Sequence, residues 1–258
     1  MVIKGVILDF GFTLFYFDNP SVEKYYECFK KGLLKSIGVL KEKQVWNENL
    51  TNEAFINKFS KQRQYFFRKS IKTKIEFPTS MIFQEVLESL EKEEVIKNLD
   101  LLTDTAYEEL AELYHSCEEE EWEPFENTKE TLKEIFMRNV KIALISNHPS
   151  HKTIENVLKK HELLKYFNYI TTSAEYGKRK PDPSIFFHTI KKMGLKGNPN
   201  SVLVCGDEYA DIIGAQRANL QSVLLERKYK FPFEKEIDVS NLRKISNISE
   251  ILNYIEKL

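Results

Sequence analysis

The chain has 258 residues, of which 42% are hydrophobic and 30% charged, and its formal net charge at pH 7 is −1. This composition is typical of a folded globular protein and excludes a disordered or fibrous chain. The nearly balanced charge gives no reason to expect nucleic acid or a membrane surface as a partner.

The first predicted element is a strand at residues 6–8, which ends at Asp9. From about residue 20 to residue 121, apolar residues follow helical spacing only. Gly38 is placed to end the first of four predicted helices. Their apolar stripes are Val22, Tyr25, Tyr26, Phe29, Leu33 and Ile37; Phe55, Ile56, Phe59, Phe66 and Phe67; Met81, Ile82, Val86, Leu87 and Leu90; and Leu102, Ala106, Leu110, Leu113 and Cys117.

Two charged stretches lie in this helical block. Residues 58–74 contain seven Lys or Arg and no acid, and residues 118–121 are four glutamates. We expect two solvated helix faces. A second interpretation is a positive rim that attracts an anionic substrate, and Arg63, Arg68 and Lys69 are the cap residues that would then contact it. Nucleic-acid binding is the weakest interpretation, because no fold signature accompanies the basic stretch.

Strands and helices alternate in the rest of the chain. Further strands are predicted at residues 140–145, 169–172, 202–204 and 223–225, and helices at 151–164 and 183–193. This alternation predicts an α/β fold, a Rossmann-like three-layer core whose parallel sheet is covered on both faces. We therefore predict a core of residues 1–17 and 122–258, with an inserted all-helical cap of residues 18–121. Residues 15–17, Phe-Tyr-Phe, are expected to pack where the two meet.

Cysteine usage and the termini predict a compartment. Cys28, Cys117 and Cys205 are widely spaced and form no Cys-x-x-Cys pair, so we expect neither a disulfide framework nor a zinc site. A reducing cytoplasm is the matching location. The apolar stretch before Asp9 is too short for a signal peptide, and no apolar stretch approaches the length of a membrane span.

The most informative motif is the predicted strand that ends in Gly206-Asp207, with Asp211 four residues later. Two carboxylates at the end of a buried strand are costly to place without a cation. Oxygen ligands of this kind suit Mg²⁺, which retains some of its water. The motif therefore predicts a magnesium site at the edge of a parallel sheet.

Other chemically active residues follow the neighbouring strands. Asp9 can attack phosphorus directly and form an acyl phosphate. Ser146 and Asn147 place a hydroxyl and an amide at the same edge, and Lys180 stands directly before Pro181. Singly, such residues often satisfy turns or lie on the surface. Together they favour a site beyond the carboxyl ends of the strands.

In these motifs and their order the chain resembles the haloacid dehalogenase-like superfamily of hydrolases with a helical cap, in particular its phosphatases. The resemblance covers the whole predicted core. It implies a cytoplasmic, Mg²⁺-dependent hydrolase of small phosphorylated metabolites that works through an aspartyl-phosphate intermediate. By this resemblance Asp9 is the nucleophile, Thr13 and Ser146 help hold the first loop and the phosphoryl group, and Lys180 balances charge.

The resemblance also implies the binding residues. Ser146, Asn147 and Lys180 would bind the phosphoryl group. Mg²⁺ would be held by Asp9, the backbone carbonyl of Gly11 and Asp207. Asp211 would support the metal site or Lys180 from behind. No prediction of oligomeric state follows.

One departure from the family pattern puts efficient ester hydrolysis in question. Phosphatases of the family usually have a second aspartate two residues after the nucleophile, where this chain has Gly11. Loss of general acid–base help costs about 10²–10⁴ in rate. Phe12 follows in place of a small residue and is expected to crowd the pocket. His148 is the first candidate to replace the missing acid, with Asp18 and Glu208 behind it.

Three other activities remain open from the sequence. A metal-independent 2-haloacid dehalogenase also lacks the second aspartate, but metal-free members usually lack the acid at the position of Asp207. A phosphonate hydrolase also has a small residue at position 11, but it needs a cap lysine that no motif singles out. A catalytically weakened member would bind a phosphorylated ligand or a protein through the same residues.

Overall fold

The computed structural model describes residues 2–17, 20–227 and 235–255. Its main sheet has six strands, all parallel, in the order β5-β4-β1-β6-β7-β8. A separate antiparallel pair joins β2 to β3. The strands are β1 (Gly5–Leu8), β2 (Phe15–Phe17), β3 (Trp122–Pro124), β4 (Lys141–Ser146), β5 (Tyr169–Thr172), β6 (Val202–Gly206), β7 (Gln221–Leu225) and β8 (Arg243–Ile245).

Helices cover both faces of this sheet and form the cap. They are α1 (Val22–Glu42), α2 (Asn52–Thr73), α3 (Thr79–Lys92), α4 (Asp104–Glu121), α5 (Thr128–Met137), α6 (His151–Lys160), α7 (Ser173–Tyr176), α8 (Pro183–Lys192) and α9 (Tyr209–Arg217). Short 3₁₀ turns lie at Leu99–Leu101, Leu164–Tyr166, Pro199–Ser201 and Ile248–Tyr254. The α/β fold with a parallel sheet is confirmed, and β2, β3 and β8 are strands that the sequence did not predict.

Alternation along the buried strands builds two apolar layers. Val6 and Leu8 of β1 belong to the cluster that faces α5 and α6, whereas Ile7 belongs to the cluster that faces α8. Successive side chains of a strand point to opposite faces, so one strand serves both layers. Because all six strands are parallel, the residues that follow β1, β4 and β6 lie at one edge of the sheet.

Four cap helices, α1 to α4, lie between β2 and β3 and share an apolar cluster of their own. The predicted stop at Gly38 is wrong, because α1 continues to Glu42. Its buried stripe extends to Leu40, which is fully buried, so packing outweighs the cost of about 1 kcal/mol for a glycine inside a helix. The domain limits at 17/18 and 121/122 stay a prediction. Phe17 stacks on Tyr25 of α1, with ring centroids 4.3 Å apart.

A disulfide joins two cap helices, contrary to the expectation from sequence. Cys28 of α1 and Cys117 of α4 are bonded, with their Cα atoms 5.4 Å apart, although 89 residues separate them in the chain. Spacing along the sequence does not show which helix faces meet, and α1 and α4 lie side by side. Cys205 is a free, buried thiol. Among the described helices, none combines the length and the apolarity that a membrane crossing needs.

A buried polar network ties the cap to the core. Glu118 of α4 is 3% exposed, so the expected solvated face is wrong for this residue. Its Oε2 lies 2.8 Å from Nδ1 of His115, and its Oε1 lies 2.7 Å from Nε2 of His148, which follows β4 in the core. The other ring nitrogen of His115, Nε2, lies 2.8 Å from Oγ1 of Thr79 in α3. The other ring nitrogen of His148, Nδ1, lies 2.8 Å from the backbone carbonyl oxygen of Ser150.

The charges in this network follow from burial and proximity. Burial alone would raise the pKa of Glu118, but attraction from His148 and His115 holds that pKa well below its usual range. Burial lowers the pKa of His115 to about 4, so this imidazole is neutral. Burial also disfavours a charged His148, yet the charge and hydrogen bond of Glu118 raise the His148 pKa. The network is therefore an ion pair between cap and core.

We expect Glu118→Gln to lower the free energy of unfolding by about 1–3 kcal/mol, because it removes the charged partner of His148, which burial then keeps neutral. Glu120→Gln, on the same helix with a side chain 76% exposed, is the control and is expected to stay within about 0.5 kcal/mol of the wild type. Urea unfolding followed by circular dichroism measures both. Equal values for the two variants would contradict the ion pair.

Candidate active site

One cleft of about 350 Å³ opens at the carboxyl ends of β1, β4 and β6. Asp9 directly follows β1, Ser146 is the last residue of β4, and Asp207 directly follows β6. The cleft is also lined by Asn147, Lys180 and Glu208. The sequence-based prediction that these residues share one edge agrees with this geometry.

Lys180 lies at the centre of the charged cluster. Its Nζ donates to Asp9 Oδ1 at 2.5 Å, to Asp211 Oδ1 at 2.6 Å and to the backbone carbonyl of Ile145 at 2.9 Å. All three donor positions of the ammonium are therefore used. The predicted role of Lys180, to balance the charge of Asp9, fits this arrangement.

Asn147 fixes the backbone of Lys180. The amide N–H of Lys180 donates to Asn147 Oδ1 at 2.8 Å, and Asn147 Nδ2 donates to the carbonyl of Lys180 at 3.1 Å. The sequence suggested that this amide binds phosphate. In the structure both ends of the amide are used to hold Lys180, whereas Ser146 lines the cleft.

Asp207 is held by a hydroxyl and a guanidinium. Thr13 Oγ1 donates to Asp207 Oδ1 at 2.8 Å, and Arg227 Nη1 lies 2.5 Å from Asp207 Oδ2. That contact is an ion pair without hydrogen-bond alignment, so Oδ2 is a buried oxygen that lacks a hydrogen bond within the described ranges. Arg227 follows β7 and was not predicted. Its position could have been predicted, because residues that follow parallel strands lie at one edge of the sheet and β7 belongs to the same sheet.

A glycine before Asp207 gives Asp211 its space. A Cβ at Gly206 would lie 2.2 Å from Cγ of Asp211, closer than any real Cβ contact. The carboxylate of Asp211 also accepts from the backbone N–H of Glu208 at 3.2 Å, at the start of α9. The Gly-Asp pair at the end of this strand is therefore a packing requirement of the cluster.

The cluster has more negative than positive charge. Burial and the neighbouring Asp9 raise the pKa of Asp207 well above its usual range, although Arg227 opposes the shift. Burial also raises the pKa of Asp211 to about 7 against the pull of Lys180. Burial opposes the charged form of Lys180, yet Asp211 and Asp9 together raise its pKa. The two carboxylates therefore raise the pKa of Lys180, whereas burial and the neighbouring Asp9 raise the pKa of Asp211.

This surplus of negative charge fits a divalent cation. Asp9, Asp207 and Asp211 each offer a carboxylate oxygen, and these atoms lie within 4.8 Å of one another. Oδ2 of Asp207, which pairs with Arg227 but accepts no hydrogen bond from the described residues, adds a buried oxygen of the kind that Mg²⁺ takes as a ligand. These residues therefore fit the ion, provided that Arg227 moves aside.

Trp122 fills the space beside Gly11. A Cβ at Gly11 would lie 3.2 Å from Cη2 of the Trp122 ring. Phe12 has a φ of 59°, in the region that bulky residues rarely adopt, and its ring meets that of Trp122 edge to face at 5.6 Å. Trp122 is the first residue after α4, and no sequence pattern indicated a role for it. Its ring therefore crowds any side chain that would replace the hydrogen of Gly11.

The candidates for a replacement acid differ in their surroundings. His148 lines the cleft, but its two ring nitrogens are already bonded to Glu118 and Ser150. Glu208 also lines the cleft, and burial raises its pKa. Asp18 lies outside the described residues. The geometry therefore favours Glu208 over His148 as a proton carrier.

Cationic side chains surround the mouth of the cleft. Lys74, at the end of the basic stretch, lines it with Arg179 and Lys235. Burial, and then the charges of Lys235 and Arg179, lower the pKa of Lys74. This arrangement agrees with a positive rim. Of the expected cap residues, Arg63 lines a second cavity under the cap, Lys69 packs over the Phe77 ring at 5.0 Å, and Arg68 lines neither cavity.

Comparisons with known proteins agree with this architecture. A model of the haloacid dehalogenase-like hydrolases matches residues 44–225. The haloacid dehalogenase-like hydrolase domain-containing protein 3 of Danio rerio is 33% identical over 118 residues, which are 45% of this chain and 47% of that protein. Glyceraldehyde 3-phosphate phosphatase of Methanothermobacter thermautotrophicus is 28% identical over 145 residues, which are 54% of this chain and 63% of the phosphatase.

A solved structure gives the same fold. The crystal structure of 2-haloacid dehalogenase from Pseudomonas syringae pv. Tomato has a TM-score of 0.67 at 18% identity, covering 98% of this chain and 97% of the dehalogenase. At that identity the likeness concerns the fold alone. The matches to the two curated relatives above span 47% and 63% of their lengths.

We expect Arg227→Gln to tighten Mg²⁺ binding by about 10-fold or more, because it removes a positive charge from the carboxylate that the ion would use. Titration calorimetry at low ionic strength measures the affinity. Arg243→Gln makes the same change of net charge at a side chain that bonds Gln221, and it serves as the control. Weaker Mg²⁺ binding in Arg227→Gln would instead show that the guanidinium positions Asp207 for the metal.

Proposed function

The chain belongs to the haloacid dehalogenase-like hydrolase family, and on this premise we propose that it hydrolyses phosphate monoesters of small metabolites with Mg²⁺. One observation carries the proposal, namely the buried ammonium of Lys180 between Asp9 and Asp211, beside Asp207. The similarity to a glyceraldehyde 3-phosphate phosphatase supports the substrate class.

In the proposed reaction Asp9 attacks phosphorus and forms an aspartyl phosphate, which water then hydrolyses. Lys180 donates to Asp9 and is placed to neutralise an oxygen of the transferred group, while Ser146 offers a hydroxyl at the same edge. Thr13 orients Asp207.

The proposed metal site consists of Asp9, Asp207 and the carbonyl of Gly11, with Asp211 behind them. When bound, Mg²⁺ supplies positive charge that neutralises the phosphoryl oxygens. The cap limits the entry of water to the cleft, and the cationic rim attracts a dianionic substrate.

A second candidate is a metal-independent 2-haloacid dehalogenase. The contact between Arg227 and Asp207 favours it, because the guanidinium already supplies a cation there, and Gly11 is compatible with it. The remaining surplus of carboxylates, with the raised pKa of Asp207 and Asp211, favours the phosphatase. A cytoplasmic location stays a prediction, and a bonded Cys28–Cys117 pair is more common in oxidising compartments.

We expect Asp9→Asn to lower the rate of phosphate release at least about 10⁴-fold, since it removes the attacking carboxylate. Release from an aryl phosphate with Mg²⁺, and again after treatment with EDTA, is the measurement. Asp100→Asn, at an exposed cap position, is the control and should keep full activity. Release of chloride from 2-chloropropionate without metal, and no release of phosphate, would establish the dehalogenase instead.

We expect Gly11→Asp not to raise the rate of alkyl phosphate hydrolysis, because the Trp122 ring occupies the space that the new side chain needs. The added atoms should also lower the free energy of unfolding by about 1–3 kcal/mol. Gly11→Ala, which adds only the Cβ, separates crowding from the effect of a carboxylate. A 100-fold gain in rate for Gly11→Asp would show that the ring yields and that only the acid was missing.

A further inference from the structure

A second cavity continues from the cleft into the cap. This cavity, which we call the cap chamber, has a volume of about 520 Å³. The cleft and the cap chamber share Phe12, Phe67, Trp122, Asn147, His148 and Arg179 among their lining residues. The two cavities are therefore adjacent at these residues, and a leaving group that extends past them from a phosphoryl group at Asp9 would enter the chamber.

Aromatic rings dominate the lining of the cap chamber. Tyr25, Tyr26 and Phe29 come from α1, and Phe66 and Phe67 come from α2. The shared residues Phe12 and Trp122 complete this surface at the side of the core. Rings of this kind bury a large area and stack on other rings.

Apart from Arg63, the charged residues that line the chamber are paired with one another. Glu76 bonds Arg179 at 2.7 Å, and Glu118 bonds both histidines of the cap–core network. Arg63 lies over the Phe29 ring, 4.4 Å from its centroid. The two glutamates are thus matched by cations within the protein, and Arg63 is packed against a ring, so recognition by the chamber rests mainly on its rings.

The size of the chamber excludes a small leaving group as its best occupant. Pockets of about 300–1,000 Å³ hold drug-sized ligands. A leaving group of two or three carbons would leave most of the rings against water, which is unfavourable for apolar surface. The chamber therefore matches a leaving group with an aromatic ring system.

We propose, on the basis of the function proposed above, that the substrates are aryl phosphates, in which the phosphate is esterified to a hydroxyl on an aromatic ring held in the cap chamber. The absence of a side chain at Gly11 also favours aryl phosphates, because the site lacks the usual acid that protonates a leaving group. An aryl oxygen leaves readily with its electron pair, so it needs no proton from the enzyme as the bond breaks.

The two steps balance without a further reactant. An oxygen of the Asp9 carboxylate bonds to phosphorus, and the bond from phosphorus to the aryl oxygen breaks, releasing an aryloxide that carries the electron pair. Water then attacks the phosphorus of the aspartyl phosphate, releases the Asp9 carboxylate and forms phosphate. A proton from this water ends on the aryloxide, which becomes the neutral phenol.

Four esters test the two parts of this proposal. Phenyl and 2-naphthyl phosphate have leaving groups of similar acidity but different size, so kcat/KM about 10-fold or more higher for the naphthyl ester is expected. Benzyl phosphate keeps the ring but has an alkyl leaving group, and it should react about 100-fold or more slowly than phenyl phosphate. Phosphoglycolate is the small substrate without a ring.

A chamber variant separates recognition from the intrinsic reactivity of the esters. Phe67 is 43% exposed at the junction of the two cavities, so Phe67→Ala should fold, which circular dichroism verifies. It should raise KM for 2-naphthyl phosphate about 3- to 10-fold more than it raises KM for phosphoglycolate. Tyr65→Ala, on the same helix and 55% exposed outside the chamber lining, is the matched control.

The possible results are distinguishable. If phosphoglycolate reacts as efficiently as the naphthyl ester, or if Phe67→Ala affects all esters equally, the aryl proposal is overturned while the phosphatase stands. If Asp9→Asn hydrolyses each ester as fast as the wild type, the proposed function fails, and the aryl proposal fails with it.

Discussion

The shared contact of Lys180 with Asp9 and Asp211 is the interaction on which the site depends. Three buried aspartates would repel one another at the end of a parallel sheet, and an unpaired buried charge costs several kcal/mol. The ammonium offsets two of them at once, and its third donor position is used by the carbonyl of Ile145. Asn147 fixes the lysine backbone, and Gly206 leaves room for Asp211. These polar and steric contacts keep the cluster at one place.

Lys180 neutralises Asp9 and Asp211 but does not contact the third aspartate, Asp207. The partner of Asp207, either Arg227 or a metal ion, distinguishes the two functions considered. Asp207 pairs with Arg227, so the protein itself supplies a counter-charge for this buried carboxylate without a metal ion. Two carboxylates with a raised pKa still indicate a lack of positive charge. A divalent ion would supply that charge, but it must displace the guanidinium from Asp207. Affinity for the metal is thus tied to the position of one arginine just after β7.

The sequence predicted the parts of the structure that follow from strand ends. Asp9, Lys180 and Asp207 could be assigned to one edge because parallel strands bring their carboxyl ends together. Contacts across helix faces could not be assigned this way. Glu118 looked like one of four solvated glutamates, yet the packing of α4 against the core buries it between two histidines. The bonded pair Cys28–Cys117 was missed for the same reason, since only the packing of α1 against α4 brings the thiols together.

Gly11 and Trp122 are best understood as one feature. A Cβ at position 11 would lie 3.2 Å from the ring of Trp122, and the same ring lines both the cleft and the cap chamber. An aspartate at position 11 and the tryptophan therefore compete for one volume. With the tryptophan in place, the site gains aromatic surface and loses a proton donor. Under the proposed function, an enzyme without this proton donor needs a substrate whose leaving group is stable as an anion. Such a leaving group departs unprotonated and does not need the missing acid.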